Sequence, residues 1–178
     1  MLHLISISGN SARDFYLQDS HTPDFKSLLR SLTSGRGIVI STHFRSDILY
    51  SSETATLENV QKSWALYVDT DLSRVDHNDI DSIKGDEAAL FGYFRSINKL
   101  ARNWHEYRLY RKAFQAAVDG ESDNPVARTV LLCDKYLLEH PSITRAPLVN
   151  PNETPDQIKE SDTFELAMRI IKNDTHSN

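Results

Sequence analysis

Residues 35–71 read GRGIVISTHFRSDILYSSETATLENVQKSWALYVDTD, and this stretch decides the predicted fold. Apolar runs rich in β-branched or aromatic side chains cover residues 38–42 and 64–70, and a shorter run covers residues 47–51. Runs of this length, bounded by polar turn residues, are typical of β-strands. Residues 53–62, between the strands, have a helix-like pattern. The stretch therefore predicts the beginning of a small sheet.

The residues before this stretch add a strand and a helix. The first strand is predicted at residues 2–8, which are mostly apolar and contain two β-branched isoleucines. Thr22, Pro23 and Asp24 form a helix start, and apolar side chains then recur with helical spacing up to Leu32. We predict an α+β (or α/β) fold in which a small mixed sheet, built from roughly the first 70 residues, is covered by helices. The predicted strands are residues 2–8, 37–42, 48–51 and 64–70.

The second half of the chain is predicted to be helical. In residues 86–118, apolar side chains recur at alternating steps of three and four, which indicates one amphipathic helix, bent or split. Asn124 and Pro125 begin another helix, because asparagine caps helices well and proline suits the first helical position. Cys133 lies on the apolar side of this helix and is expected to be a small buried hydrophobic residue.

The spacing of prolines predicts the domain organisation. Four prolines lie in or next to residues 141–154, which indicates an extended linker. Residues 1–140 before the linker are predicted to form a single globular domain. Residues 155–178 after it are predicted to form a helix, which begins with a capping-box pattern, and a frayed polar tail.

The acidic stretch at residues 69–87 has the composition of a cation site but not its spacing. A calcium loop starting at Asp69 would place Arg74 where glycine is required and Ile80 where a bidentate glutamate is required. We therefore predict a solvated loop with Asx turns and no metal site. Asp69 and Asp71, at positions i and i+2, leave binding of a divalent cation as an alternative.

The overall composition excludes some functional classes. The chain has 178 residues, 39% of them hydrophobic and 25% charged, which is typical of a soluble globular protein. No apolar run reaches the roughly 20 residues that span a bilayer, and the N-terminus lacks the basic lead of a secretory signal. A single cysteine excludes an intrachain disulfide and favours a reducing, cytoplasmic location. A net charge of −5 argues against a dedicated nucleic-acid-binding protein.

The predicted function is binding through two helical surfaces. Six basic side chains lie on the polar sides of the helical stretch 86–118, and three of them recur at i, i+4 and i+7, which suits an anionic partner. They are Arg95, Lys99, Arg102, Arg108, Arg111 and Lys112. The second surface is the C-terminal helix at residues 155–172. We predict a non-enzymatic intracellular regulatory protein without a cofactor, whose partner is another protein. Nucleic-acid binding is an alternative, and membrane binding is not expected.

Three short segments resemble motifs of an enzyme family. Residues 39–42 (Val-Ile-Ser-Thr) resemble the strand ending in Ser-Thr-Ser of bacterial mono-ADP-ribosyltransferase toxins of the cholera and pertussis type. Residues 66–68 (Leu-Tyr-Val) are similar to the strand that follows it in that family. Residues 105–107 (His-Glu-Tyr) are similar to the segment that carries the catalytic glutamate.

This resemblance supplies an enzymatic alternative with NAD as its cofactor. It implies that Ser41 and Thr42 support the NAD pocket and that Glu106 is the catalytic acid. In that case Ser41, Thr42, Arg45 and Glu106 should converge on one cleft. No other catalytic motif is present in the sequence.

Overall fold

The computed structural model describes residues 1–18 and 20–138, and it confirms the α+β class. Within these residues, the strands are β1 (Leu2–Ser8), β2 (Gly37–Thr42), β3 (Arg45–Ser51) and β4 (Ile80–Lys84). The α-helices are α1 (Thr22–Thr33), α2 (Leu57–Tyr67), α3 (Asp86–Leu100), α4 (Trp104–Val118) and α5 (Pro125–Leu138). The predicted linker at 141–154 and C-terminal helix at 155–172 lie outside the described residues.

The four strands form one antiparallel sheet in the order β2-β3-β1-β4. β1 is a central strand, and its His3 pairs with Tyr50 of β3 on one side and with Lys84 of β4 on the other. Because successive side chains of a strand project to opposite faces, these three residues lie in one row on the same face. The sheet is therefore antiparallel throughout rather than mixed.

Both faces of the sheet are covered, so the fold has three layers. On one face, Ile5 of β1 and Ile48 of β3 belong to a buried cluster with Phe25 of α1 and Trp64 of α2. On the other face, the neighbouring strand residues belong to a second cluster with α3, α4 and α5. Burial of both faces explains why β1 and β2 are rich in apolar residues. β3 is equally buried, but the prediction began at residue 48 and missed its start at Arg45, because its first three residues are polar.

Two contacts fix the helices of the second cluster against the sheet. Gly92 brings α3 close to β4, because a Cβ atom there would lie 2.3 Å from Cδ1 of Ile83. The predicted cap of α5 is confirmed, since Asn124 Oδ1 accepts a hydrogen bond from the Val126 amide at 3.0 Å. The amide group of the same side chain donates to the carbonyl oxygen of Gly37 in β2 at 2.9 Å.

Two expectations about strands are wrong. Residues 64–70 are not a strand: residues 64–67 form the last part of α2, which begins after the Thr56 cap. The fourth strand is instead β4, inside the stretch predicted to be a solvated loop. Outside β4, that stretch does form Asx turns, in which Asp71 and Asp76 each accept from the amide two residues later at 2.9 Å.

The helical second half is confirmed within the described residues. Residues 86–118 are split into α3 and α4 by a short turn at residues 101–103. In the part of the chain that the structure describes, every helix is too short or too polar to traverse a lipid bilayer.

Candidate functional site

The six predicted basic residues lie on or between α3 and α4. Arg95 and Lys99 are on α3 and Arg102 is in the turn, whereas α4 carries the other three. All are exposed except Arg111, which is half-buried. Within the described residues, none of the six forms a salt bridge. We call these six residues the basic face: Arg95, Lys99, Arg102, Arg108, Arg111 and Lys112.

Two large apolar side chains are exposed beside these charges. Trp104 is 59% exposed and Leu109 is 42% exposed, and both belong to α4. Trp104, Arg108 and Lys112 are spaced by four residues, so they lie along one side of the helix. An exposed indole between cations is the informative feature, because large apolar side chains are usually buried.

A buried ion pair lies beneath these helices. Arg45 and Asp47 are two residues apart on β3, so their side chains project from the same face of the sheet, toward α3 and α4. The Arg45 side chain donates from Nε to Asp47 Oδ2 at 2.7 Å and from Nη2 to Oδ1 at 2.9 Å. Asp47 is fully buried, and Arg45 is 6% exposed. This is the bidentate geometry in which a guanidinium and a carboxylate interact most strongly.

Both helices bind directly to this pair. Arg45 Nη2 also donates to the Ser96 hydroxyl of α3 at 2.6 Å. The Tyr110 hydroxyl of α4 donates to Asp47 Oδ2 and lies 3.1 Å from the Tyr93 hydroxyl of α3. We call these five residues the buried polar centre: Arg45, Asp47, Tyr93, Ser96 and Tyr110. It connects β3 to both helices that carry the basic face.

The charges of the buried polar centre stabilise one protonation state. Burial is the largest single effect on Arg45 and lowers its pKa, but the attraction and hydrogen bonds of Asp47 together with the attraction of Tyr110 and Tyr93 outweigh it, and the net pKa is raised. Burial, followed by the negative charge of Asp47, raises the pKa of Tyr93 and of Tyr110 well above the usual value. The centre therefore holds one cation, one anion and two neutral phenols. Since Arg45 stays charged and is occupied by Asp47 and Ser96, the arrangement is suited to holding helices in place.

The residues of the enzymatic alternative are not brought together by the sheet. Ser41 projects toward the α1–α2 layer, where its hydroxyl accepts from the Leu17 amide at 2.9 Å. Thr42 projects to the opposite face, and its hydroxyl donates to the Arg45 carbonyl oxygen at 2.7 Å. Because neighbouring strand residues face opposite sides, these two cannot line one pocket wall.

The other two segments of the resemblance have helical structure. Glu106 lies in the first turn of α4, where its amide donates to Asn103 Oδ1 at 3.4 Å. Residues 66–68 include the end of α2 and its C-cap rather than a strand. The family motif requires strands at both places, so the fold does not reproduce that arrangement in the described residues.

The described residues do not form a metal site, and their one cysteine is buried. These residues contain no group of three or more His, Cys, Asp or Glu side chains that could hold a metal ion. Cys133 is buried, and burial raises the pKa of its thiol to about 12. Because the thiolate is the reactive form, burial and the raised pKa both disfavour reaction of Cys133 near neutral pH.

Comparison with other proteins adds no functional information. No family model matches this sequence, and no curated protein or solved structure is significantly similar to it.

Proposed function

We propose that this protein is a non-enzymatic binding protein that recognises an acidic partner protein through the basic face. One observation carries this proposal: α3, α4 and the turn between them carry six basic side chains without a salt bridge in the described residues, and α4 also exposes Trp104 and Leu109. The partner should present carboxylates around an apolar surface that receives the Trp104 side chain.

The composition of this surface favours a protein over a nucleic acid. Tryptophan and arginine are the residues most enriched among those that dominate protein–protein binding energy. An exposed leucine contributes to apolar contacts but reads no phosphate backbone. The net charge of −5 also repels a polyanion at long range, whereas a compact acidic patch on a protein need only approach the basic face.

A cluster of seven acidic residues lies on a different part of the fold. They lie between α2 and the first turn of α3, and all but Asp79, which is half-buried, are exposed. These residues are Asp69, Asp71, Asp76, Asp79, Asp81, Asp86 and Glu87. The separation of charge means that a second copy of this chain is one candidate partner, which an oligomerisation measurement detects directly.

Two further parts of the proposal come from the sequence pattern. The predicted helix at residues 155–172 would provide a second contact for the same partner, since the sequence gives it an apolar stripe along one side. A regulatory role in the cytoplasm is consistent with the single cysteine and with its burial.

The test compares two triple variants with the same change in charge. In the first, Arg95, Lys99 and Arg102 are replaced by glutamate, and in the control, Arg13, Arg36 and Arg74 are replaced. All six side chains are exposed, so neither variant should shift the melting temperature by more than a few degrees. Affinity capture from extracts of the source cells should lose a specific protein with the first variant and keep it with the control.

A second arm separates the protein partner from a nucleic acid. Trp104 is exposed and Trp64 is fully buried, so a blue shift of the emission on binding reports on Trp104. Titration with duplex DNA should give no shift at physiological salt. Tight DNA binding that weakens steeply with salt would instead support the nucleic-acid alternative. Equal capture by both triple variants would refute the role of the basic face.

A further inference from the structure

One side of α4 presents an open row of three side chains. Trp104, Arg108 and Lys112 are spaced by four residues and are all exposed. Neither cation makes a salt bridge within the described residues. Because a helix rises 1.5 Å per residue, successive members of the row are about 6 Å apart along the axis. The row therefore offers an aromatic surface at the N-terminal end of α4 and two positive charges beyond it.

The part of the chain after the described residues contains a segment of opposite charge. The described residues end at Leu138 of α5, and residues 139–178 follow. Residues 153–166 carry a single basic side chain, Lys159, against five acidic ones. The acidic residues are Glu153, Asp156, Glu160, Asp162 and Glu165. The predicted helix at residues 155–172 begins in this segment, so its first half is complementary in charge to the basic face.

The same segment repeats the spacing of the row on α4 in the reverse order. Asp156, Glu160 and Phe164 are also spaced by four residues, so in the predicted helix they share one side. Phe164 belongs to the apolar stripe of that helix. In chain order this row is anionic, anionic and aromatic, whereas the row on α4 is aromatic, cationic and cationic. Two antiparallel helices would therefore match both rows, and two parallel helices would not.

We propose that the predicted helix at residues 155–172 docks antiparallel on α4 of its own chain and covers the basic face until a partner displaces it. This inference rests on the basic face of the proposed function and adds its regulation. The displaced helix is then free to make the second contact with the partner. The contacts in the docked state are Phe164 with Trp104, Glu160 with Arg108 and Asp156 with Lys112.

The connection between the two helices is long enough for this contact. α4 and α5 contribute to the same buried cluster, so both lie on the same face of the sheet. Seventeen residues, 139–155, separate Leu138 from Asp156, and an extended chain of this length spans up to about 60 Å. A domain of this size has a radius of gyration of only about 14 Å. The segment can therefore reach any part of the surface of the domain.

Tethering makes a weak contact sufficient. A linker of this kind supplies an effective concentration of the order of 1 mM. A contact with a Kd of about 0.1 mM between separate molecules would then be formed about 90% of the time within one chain. A partner that competes for the basic face would bind about tenfold more weakly than it binds the uncovered surface.

The test uses the isotope-labelled full chain with a nitroxide on one introduced cysteine, since the native Cys133 is buried. Asn152→Cys places the nitroxide just before the predicted helix, and Arg169→Cys places it near the other end. A nitroxide broadens the signals of nearby amides. With Asn152→Cys the amide of Lys112 should broaden more than that of Trp104, which lies about 12 Å away along α4, and Arg169→Cys should give the reverse.

Two triple variants of the nitroxide-labelled chain carry the same change in charge. The first replaces the proposed contact row and should abolish the broadening: Asp156→Lys, Glu160→Lys and Phe164→Ser. The control alters the other side of the predicted helix and should keep it: Asp162→Lys, Glu165→Lys and Leu166→Ser. A charge exchange tests the central pair directly. Arg108→Glu should reduce the broadening, and adding Glu160→Lys should restore it.

A synthetic peptide of residues 153–168 measures how much of the basic face is covered. The emission of the exposed Trp104 follows its binding to the two triple variants without a nitroxide. The peptide should bind the first variant about tenfold more tightly than the control variant, because only the control variant still covers its own α4. Equal affinities would overturn the proposal.

The remaining outcomes separate this proposal from the capture of an acidic partner. Broadening that is absent from the unmodified segment, or that both triple variants lose or keep alike, would refute the docking and leave the capture result standing. Broadening of isotope-labelled protein by nitroxide-labelled molecules mixed with it would show that the segment covers a second copy, which also overturns the proposal. Specific broadening without any captured partner would support the docking and refute the proposed function alone.

Discussion

Replacing Asp47 by asparagine should destabilise the protein severely. The side chain of Asp47 is fully buried and accepts three hydrogen bonds, two from Arg45 and one from Tyr110. Asparagine has nearly the same shape but no charge, so the Arg45 guanidinium would remain buried without a counter-ion. Breaking one partner of a buried ion pair costs about 3–5 kcal/mol. This is a large part of the roughly 5–15 kcal/mol that stabilises a typical domain.

A double-mutant cycle tests whether the cost comes from the unpaired charge. Arg45→Met leaves the Asp47 carboxylate unpaired, so it should cost about as much as Asp47→Asn. The double variant Arg45→Met/Asp47→Asn contains neither charge. It should cost about 1–3 kcal/mol, the usual penalty for the hydroxyls and amide left unpaired around it. The sum of the two single costs should therefore exceed the cost of the double variant by at least about 3 kcal/mol.

Urea unfolding followed by the fluorescence of the buried Trp64 measures each free energy. With a slope of about 2 kcal/mol per molar urea, a loss of 3–5 kcal/mol lowers the midpoint by roughly 1.5–2.5 M. Tyr110→Phe is the internal control, because it removes the hydrogen bonds to Asp47 and Tyr93 but leaves both charges paired, and it should cost only about 1.5–3 kcal/mol. Single variants that each cost under about 1 kcal/mol, or costs that simply add in the double variant, would refute this reasoning.

Two further predictions follow from shifted pKa values. Tyr50, Tyr93 and Tyr110 all have raised pKa values in the folded state, that of Tyr50 reaching about 12, so the unfolded state loses their protons first as the pH rises. These tyrosines should contribute no pH dependence of stability below about pH 10 and above it lower stability by about 1.4 kcal/mol per pH unit each, and Tyr50→Phe should reduce that slope by one such contribution. An equally steep fall in Tyr50→Phe would contradict this. Cys133 should react with iodoacetamide only after unfolding, and rapid labelling of the native protein would show that the thiol is accessible.

Side-chain pattern predicted β1, β2 and the second half of β3, but it did not predict β4. β1 and β2 are buried on both faces, so their apolar residues are visible in the sequence. β3 is buried too, but only residues 48–50 are apolar, so its polar start at residues 45–47 was not predicted. β4 reads Ile-Asp-Ser-Ile-Lys, and none of its five residues is fully buried. This strand forms because its backbone pairs with β1, and backbone hydrogen bonding leaves no mark on the side-chain pattern.

The incorrect strand at residues 64–70 has a different cause. Trp64, Leu66 and Val68 alternate with other residues as they would in a strand, and a short apolar run fits both a strand and a helix. In α2, Trp64 is fully buried while Leu66 is 82% exposed. The exposed leucine gave the run its apparent period of two, although the helix places these two residues on different sides.

The basic face could be read from the sequence, but the buried polar centre could not. Arg95 and Lys99 follow helical spacing on α3, and local spacing is enough to place them on an outer surface. Arg102, which the pattern placed on the same helix, is exposed in the turn at residues 101–103 instead. Tyr110 lies 63 residues from Asp47, and no local pattern links them. The available signal was Arg45 and Asp47 at i and i+2 in a strand, which share a face and can therefore pair.

The buried polar centre explains how the protein can hold the six cations of the basic face on two neighbouring helices. Mutual repulsion among six cations would favour splaying the two helices apart. The buried polar centre opposes this, because Ser96 of α3 and Tyr110 of α4 both bond to the same ion pair on β3. Reversing Arg95, Lys99 and Arg102 should therefore affect binding and leave stability nearly unchanged, whereas Asp47→Asn should lower stability first. Measured on the same protein, these opposite responses separate the residues that contact the proposed partner from those that hold them in place.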